Sequence, residues 1–183
     1  MIGRSVLFRG ADRPAPPPGG SAGAGVTPRC RRANPAAMQV DFYHLTATPL
    51  DRALPQIAAK VVESGQRLLI VSARDEQRAE LDRLLWVYRP DSFLPHAQLG
   101  AGEDALQPIL IAPEVRPANE ARYIALVDGE WRDAALDFDR AFHFFEDEFI
   151  RPARDAWRAL GGRDGVERRY WKQNDGGRWE QAA

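Results

Sequence analysis

A row of arginines beside a tryptophan, near the carboxyl end, is the part of this sequence best suited to chemical recognition. Arg151, Arg154 and Arg158 have the spacing i, i+3 and i+7, which places them along one side of a helix with Trp157 beside them. A guanidinium pairs with a carboxylate through two parallel hydrogen bonds, and an indole face packs against an apolar group. The pattern therefore predicts a receptor for an acidic peptide with an apolar end. A solvated helix whose Trp157 packs inward explains the same spacing equally well.

The segment after this row is also basic. Between Arg151 and Lys172 there are seven basic and three acidic residues. A further interpretation is direct DNA binding by the stretch from Arg163 to Lys172, with Trp171 stacking on bases. However, the formal net charge of −1 over 183 residues does not favour a protein that coats nucleic acid. We therefore expect DNA to be only an indirect partner.

A second aromatic cluster surrounds a proline-containing turn. Trp86 lies at the end of a predicted helix, and Phe93, Leu94 and Pro95 follow the turn. Large aromatic side chains on a turn either close a core or form an apolar knob for a partner. On composition alone, the aromatics are expected to plug the edge of a sheet, and a docking surface is the alternative.

The chain shows no established catalytic pattern. It lacks the glycine-rich Gly-x4-Gly-Lys motif of a P-loop and the Gly-x-Ser-x-Gly of a nucleophile elbow. The only cysteine is Cys30, and the three histidines are far apart in sequence. We therefore expect no catalytic residue, no metal site and no cofactor. The alternative is an α/β nucleotide-binding domain or enzyme that uses the loop from Gly100 to Asp104 for phosphate.

Hydrophobic patterning predicts an α/β domain with a mostly parallel sheet. Apolar runs of strand length predict strands at 40–45, 67–72, 108–112 and 123–127. Helices are predicted after Thr48, which has capping-box spacing with Asp51, and from Asp75 onward. Gly65 is the expected C-terminal stop of the first helix. Two more helices are predicted at 138–149 and 151–160.

Residues 1–37 differ in composition from the rest of the chain. They carry six arginines against a single acidic residue, Asp12, and are rich in proline and glycine. Such a segment buries too little apolar surface to offset the entropy of ordering. We expect a disordered extension, with Met38 as the natural first residue and one domain over 38–183. A transit peptide or basic arm is the alternative. Because no apolar run approaches the roughly 18 residues of a membrane span, a cytoplasmic protein is expected.

Four blocks of sequence resemble the chi subunit family of bacterial DNA polymerase III holoenzyme. Their order and spacing cover about residues 38–179. The blocks are Phe42-Tyr43-His44-Leu45, Gly65 to Ile70, Leu85-Trp86 with Ser92 to His96, and Ala153-Arg154 with Trp157-Arg158 followed by Tyr170-Trp171-Lys172. The resemblance implies a three-layer, Rossmann-like α/β/α fold without nucleotide chemistry.

The resemblance also implies a non-catalytic adaptor in DNA replication. Chi ties the clamp-loader assembly to single-stranded-DNA-binding protein, whose acidic C-terminal tail closes with an apolar residue and a free carboxylate. By similarity, Arg154, Trp157 and Arg158 would line the pocket for this tail, and Arg151 would be a neighbour.

A second surface of the family binds the small psi subunit. In this chain Trp86 and Phe93, with Leu94 and Pro95, match that region. The resemblance therefore implies a psi-like subunit or another clamp-loader component as a second partner.

Overall fold

The computed structural model describes residues 37–88, 94–174 and 177–182, all of which belong to one compact unit. The expectations for residues 1–36 and for Phe93 lie outside the described residues. The described part contains eight strands: β1 (Met38–His44), β2 (Leu68–Val71), β3 (His96–Gln98), β4 (Ile109–Ala112), β5 (Tyr123–Leu126), β6 (Arg140–Phe145), β7 (Val166–Gln173) and β8 (Trp179–Gln181). Its helices longer than one turn are α1 (Leu50–Glu63), α2 (Asp75–Val87) and α3 (Ile150–Leu160).

The strands form one sheet in the order β3-β4-β2-β5-β6-β1-β7-β8. Strands β1 to β7 are parallel to one another, and β8 pairs antiparallel with β7 at the edge of the sheet. This arrangement confirms the predicted α/β class with a mostly parallel sheet. It also brings β1 between β6 and β7, so that residues more than a hundred positions apart in sequence become neighbours.

Both faces of the sheet are covered, which makes three layers. Along β2, Leu68 and Ile70 pack on the side of α1 and α2, whereas Leu69 and Val71 pack on the side of α3. All four side chains are fully buried. Each such side chain contributes about 1.5–3 kcal/mol through burial, and a strand covered on both faces shows an uninterrupted apolar run in sequence. The predicted three-layer architecture is therefore confirmed.

The boundaries of α1 differ from the prediction at one end. The helix begins after Pro49, and no side chain caps it, so the predicted Thr48 capping box is wrong. The amide of Thr48 instead donates to the side-chain oxygen of Gln173 at 2.7 Å. At the other end, Gly65 has φ +73° and its amide donates to the carbonyl of Val62, as expected for a glycine that stops a helix.

The predicted helix at 138–149 is wrong. The chain there forms β6, flanked by short 3-10 turns at Asp133–Asp137 and Asp147–Phe149. Strand β6 lies between β5 and β1, and five of its six residues are buried. Because both faces of this strand are covered, its sequence is apolar at successive positions. Periodicity alone cannot distinguish such a run from a buried helix.

Strands β3, β7 and β8 were not predicted. Strand β7 has three consecutive charged residues followed by two adjacent aromatics and is only partly buried, so it lacks the alternating pattern of a strand. It nevertheless pairs with β1 over six positions, from Met38 opposite Val166 to Tyr43 opposite Trp171. This pairing places Tyr170 beside Phe42, on the face of the sheet that α3 covers.

Candidate partner-binding pocket

Helix α3 lies on the sheet through a stripe of small and apolar side chains. Ala153, Ala156 and Leu160 are buried against the sheet, whereas the three arginines predicted to form a row are exposed. Two alanines on the inner stripe keep the helix close to the strands. The outer side of α3 therefore presents Arg151, Arg154 and Arg158 to solvent, as the spacing predicts.

A pocket of about 320 Å³ opens between α3 and the sheet. Its walls are mostly apolar and come from β1, β6, α3 and β7. The lining residues are Phe42, Phe145, Ile150, Ala153, Arg154, Trp157 and Tyr170. The Trp157 ring meets Phe42 edge-on, with centroids 5.2 Å apart, and meets Tyr170 edge-on at 6.1 Å. The indole is thus a wall of the pocket. The sequence left open whether Trp157 packs inward or faces a ligand, and in the structure it packs against the sheet and also borders the cavity.

A second arginine holds this wall in place. The guanidinium carbon of Arg168 lies 4.4 Å from the centroid of the Trp157 ring, and the same side chain donates to the carbonyl of Trp157. A cation near the last turn also offsets the partial negative charge of the helix end. Gly161 leaves space for this contact, because a Cβ there would come within 2.8 Å of the Arg168 guanidinium. Arg168 therefore stabilises the pocket and is engaged inside the fold.

The pocket includes one of the predicted arginines and not the other two. Arg154 lines the pocket, whereas Arg151 and Arg158 lie outside the lining. Arg158 is ion-paired with Asp155 at 2.9 Å on the exposed helix surface. Within the described residues, no ion pair involves Arg151 or Arg154. Arg154 is thus a guanidinium at the wall of an apolar cavity without a carboxylate of its own.

A chain of hydrogen bonds borders the pocket beside Tyr170. The Tyr170 hydroxyl lies 3.0 Å from Nδ1 of His44, and Nε2 of His44 lies 2.7 Å from Oδ1 of Asp147. The His44 ring stacks on Phe145, with centroids 5.0 Å apart. Burial raises the pKa of the Tyr170 hydroxyl, against the opposing effect of Arg154.

Another histidine lies beneath the aromatic walls. His143 is fully buried between Phe42, Phe145 and Trp131, and among the described residues neither ring nitrogen has a hydrogen-bond partner. Burial lowers the pKa of His143 to about 4, because the charged imidazolium would lose its hydration. The floor of the pocket region therefore carries a neutral imidazole at neutral pH.

The residues that sequence reasoning missed are the wall residues on the strands. Phe42 and Tyr170 both belong to blocks that resemble the chi family, but no local pattern linked them to α3. Phe145 lay in the segment wrongly predicted as helix. Only the pairing of β1 with β6 and β7 brings these three rings to one site.

The second predicted surface is partly exposed and partly core. Trp86 is 56% exposed and Val87, which was not predicted, is 76% exposed. The ring of Trp86 lies 5.0 Å from that of His96. Leu94 is only 4% exposed and packs with the core on the α1 and α2 side, so it does not belong to an accessible surface. Pro95 is half-buried, and Phe93 lies outside the described residues.

A larger cavity of about 870 Å³ lies near Trp86, at the carboxyl ends of β1, β5 and β6. Ligands of open α/β sheets commonly bind at such an edge. Here Asp128, which follows β5, occupies part of it: its carboxylate accepts the amide of Ala73 at 2.9 Å and pairs with Arg132 at 2.6 Å. Burial opposes ionisation of Asp128, but these hydrogen bonds outweigh it and lower the pKa. The amide of Ala73, which follows β2, is thus already bound by a carboxylate of the protein itself.

In the loop from Gly100 to Asp104, a backbone amide is likewise bound by a carboxylate of the same loop. Both carboxylate oxygens of Asp104 accept the amide of Gly100, at 3.1 and 3.0 Å. A phosphate-cradling loop needs such amides to face the ligand. The geometry therefore gives no support to a nucleotide site in this loop.

The stretch that was considered for direct DNA binding has most of its polar side chains paired. In the stretch from Arg163 to Lys172, Arg163 pairs with Asp133, Arg169 pairs with Glu167, and the indole nitrogen of Trp171 donates to buried Asp41. These side chains are engaged within the fold and do not form an open basic groove.

Across residues 37–88, 94–174 and 177–182, no group of three metal-ligating side chains converges, and no helix is long and apolar enough to cross a membrane.

Fold and site together define a three-layer α/β domain with an aromatic, arginine-bearing pocket on the face covered by a single helix. Residues 38–166 match the family described as DNA polymerase III chi subunit, HolC. The chain belongs to this family. Its place is therefore in DNA replication, as a subunit of a polymerase holoenzyme complex.

Curated relatives agree with this assignment. The DNA polymerase III subunit chi of Escherichia coli K12 is 31% identical over 107 residues, which are 57% of this chain and 73% of the relative. The subunit chi of Pseudomonas aeruginosa is 29% identical over 126 residues, 66% of this chain and 87% of the relative. A probable subunit chi of Rickettsia prowazekii is 26% identical over 89 residues, 49% of this chain and 54% of the relative.

Proposed function

We propose that this chi-family subunit links the clamp-loader assembly to single-stranded-DNA-binding protein by binding the acidic C-terminal tail of that protein. The observation that carries the proposal is the pocket on the α3 face, where Arg154 lines an apolar cavity and has no ion pair among the described residues. The subunit itself catalyses no reaction in this proposal and acts through its two partners.

The cavity suits the last side chain of such a tail. Its volume of about 320 Å³ and its aromatic walls accept one large apolar side chain. Phe42 and Trp157 meet edge-on and so form a continuous aromatic wall, against which a further apolar side chain can pack. Burying a large apolar side chain there contributes about 1.5–3 kcal/mol.

The charge beside the cavity suits the tail carboxylate. Arg154 can bind the terminal carboxylate through two parallel hydrogen bonds while the apolar side chain fills the pocket. Arg151 and Arg158 lie on the same exposed side of α3, at positions where they attract the acidic residues that precede the tail end. Arg158 must exchange its contact with Asp155 to do so, which makes its contribution smaller than that of Arg154.

We assign the second partner, a psi-like subunit or another clamp-loader component, to the surface around Trp86. Two adjacent large apolar side chains, Trp86 and Val87, are exposed at the end of α2. Exposed aromatic side chains of this kind commonly anchor protein interfaces. With Leu94 in the core, the described part of this surface consists of Trp86, Val87 and Pro95.

A titration of the protein with a fluorescently labelled tail peptide tests the first assignment. We expect saturable binding, and a loss of about 1.5–3 kcal/mol, or ten- to hundredfold, in Arg154→Ala, because a charge-assisted hydrogen bond is removed. Arg52→Ala is the matched control, since Arg52 is an exposed arginine on α1, on the opposite face of the sheet.

Two outcomes contradict the assignment. One is an unchanged affinity in Arg154→Ala. The other is equal binding of a peptide that lacks the terminal apolar residue, because the apolar walls would then have no role.

A further inference from the structure

The strongest unassigned feature is the hydrogen-bonded chain of Asp147, His44 and Tyr170 at the edge of the pocket. His44 lies at the end of β1 and is 9% exposed, whereas the Asp147 side chain is 84% exposed. Tyr170 is separated from His44 by 126 positions in sequence and lines the pocket that contains Arg154. Arg154 acts electrostatically on the Tyr170 hydroxyl, which is the relation expected of two groups that can face the same bound carboxylate.

The proton positions in this chain follow from the partners. An ionised carboxylate only accepts hydrogen bonds, so Nε2 of His44 must carry the proton that faces Asp147. In a neutral imidazole the other nitrogen, Nδ1, is then an acceptor, and the Tyr170 hydroxyl must donate its proton to it. When His44 is neutral, the Tyr170 hydroxyl therefore donates its only proton to His44 and cannot also donate it to a ligand.

A second proton on His44 reverses the direction of that hydrogen bond. Nδ1 then becomes a donor, the oxygen of Tyr170 accepts, and the hydroxyl proton is free to point elsewhere. We propose that Tyr170 is a further binding residue for the carboxylate end of the tail, and that the protonation of His44 determines whether its hydroxyl can donate to that carboxylate. This inference rests on the proposed function, since it concerns the same pocket and ligand.

The groups around His44 support this direction of change. Asp147 faces it from the turn after β6, where the flanking Glu146 and Glu148 are exposed acids. Tyr170 faces it from β7, and Arg154 borders the same pocket from α3. His44 therefore lies between an acidic turn on one side and, through Tyr170, the pocket that contains Arg154 on the other.

The remaining titratable neighbours do not change state over the relevant range. Burial raises the pKa of Tyr170, so its hydroxyl remains protonated. The pKa of buried His143 is about 4, so that ring stays neutral above pH 5.5.

The test is the affinity of the intact protein for the labelled tail peptide at pH 8.0 and at pH 5.5. We expect binding at both values and roughly fivefold tighter binding at pH 5.5, since one hydrogen bond to a carboxylate is gained. Tyr170→Phe keeps the ring that lines the pocket and removes the hydroxyl, so its affinity is expected to be the same at both values. His44→Gln, which cannot take up a proton, is expected to behave in the same way.

Two controls separate this inference from other sources of pH dependence. Asp147→Asn changes an exposed side chain and is expected to reduce the gain at low pH without affecting folding. A peptide with an amidated C-terminus lacks the terminal carboxylate, so any binding it retains is expected to show no gain at pH 5.5.

The outcomes distinguish the two proposals. Binding that Arg154→Ala weakens but that is independent of pH overturns the role of Tyr170 and His44 and leaves the proposed function intact. A gain at low pH that persists in Tyr170→Phe also overturns this inference. Absence of peptide binding at both pH values overturns both proposals.

Discussion

The two tryptophans that mark the candidate binding surfaces have opposite relations to the fold. Trp157 forms a wall between Phe42 and Tyr170, and Arg168 holds its face. Trp86 is 56% exposed at the end of α2. Both side chains border a cavity, but Trp157 is packed among neighbouring rings, whereas more than half of Trp86 is exposed to solvent. A packed wall selects a ligand side chain by its shape, whereas an exposed side chain such as Trp86, here called the knob, contributes apolar area to a partner.

The charges around the two tryptophans differ as well. Arg154 lies at the pocket of Trp157, and within the described residues no carboxylate pairs with it. The cavity beside Trp86 has mainly acidic charged side chains in its lining. Those acids are Asp51, Glu76, Glu80, Asp128, Glu146 and Glu148, against Arg74 and Arg83. We therefore expect an acidic tail to be attracted by Arg154 in the first region and repelled by the acids that line the second.

The largest expected difference between the two surfaces is the loss of stability when each tryptophan is replaced with alanine. We expect Trp157→Ala to lower the free energy of unfolding by about 3 kcal/mol, because it removes packing against Phe42, Tyr170 and Arg168. Trp86→Ala is expected to cost below about 1 kcal/mol, since more than half of that side chain is already in water. Urea unfolding of both variants measures the difference. Equal losses would show that the wall and the knob are not distinct.

The buried histidine under the pocket gives a second, pH-dependent contrast. His96, on the other side of the sheet, has both ring nitrogens within 3.0 Å of backbone carbonyl oxygens, whereas in the described part of the chain His143 has no partner for either nitrogen. Because burial lowers the pKa of His143 to about 4, the unfolded chain binds this proton more readily than the folded one. The contribution of His143 is therefore fully present above about pH 6.5 and is lost as the pH falls towards 4.

Replacing His143 with leucine isolates this effect. Between pH 7 and pH 5 we expect the wild type to lose about 2 kcal/mol more unfolding free energy than His143→Leu, which has no proton to bind. Urea titrations at the two pH values give both numbers. Parallel losses in the two proteins would mean that His143 is protonated equally well in the folded state.

The smallest expected difference between the two surfaces is the effect of ionic strength on binding. Raising the salt concentration from 0.05 M to 0.5 M is expected to weaken tail binding at the α3 pocket by about 1 kcal/mol, or roughly fivefold, because exposed charges are screened. Binding of a partner at Trp86 through apolar contact should change less. Tail binding that is insensitive to salt would contradict a role for the exposed arginines of α3.

Sequence patterns identified much of the frame. The apolar runs of β2, β4 and β5 were evident because strands covered on both faces need uninterrupted apolar residues. The helical spacing of α3 correctly placed three arginines on its exposed side. By contrast, the apolar run of β6 was assigned to a helix, since a continuous apolar segment has no period that separates the two structures.

The amino-acid sequence by itself determined which face of α3 is basic, where α1 stops at Gly65, and that an apolar core of the α/β type would form. Only the tertiary structure decided that Phe42, Phe145 and Tyr170 become the walls of one pocket with Arg154, and that His44 meets Tyr170. Local periodicity reports whether a residue is buried, but it does not report which distant strand will lie beside it. That choice comes from the parallel pairing of β1 with β6 and β7, which joins segments about a hundred or more positions apart.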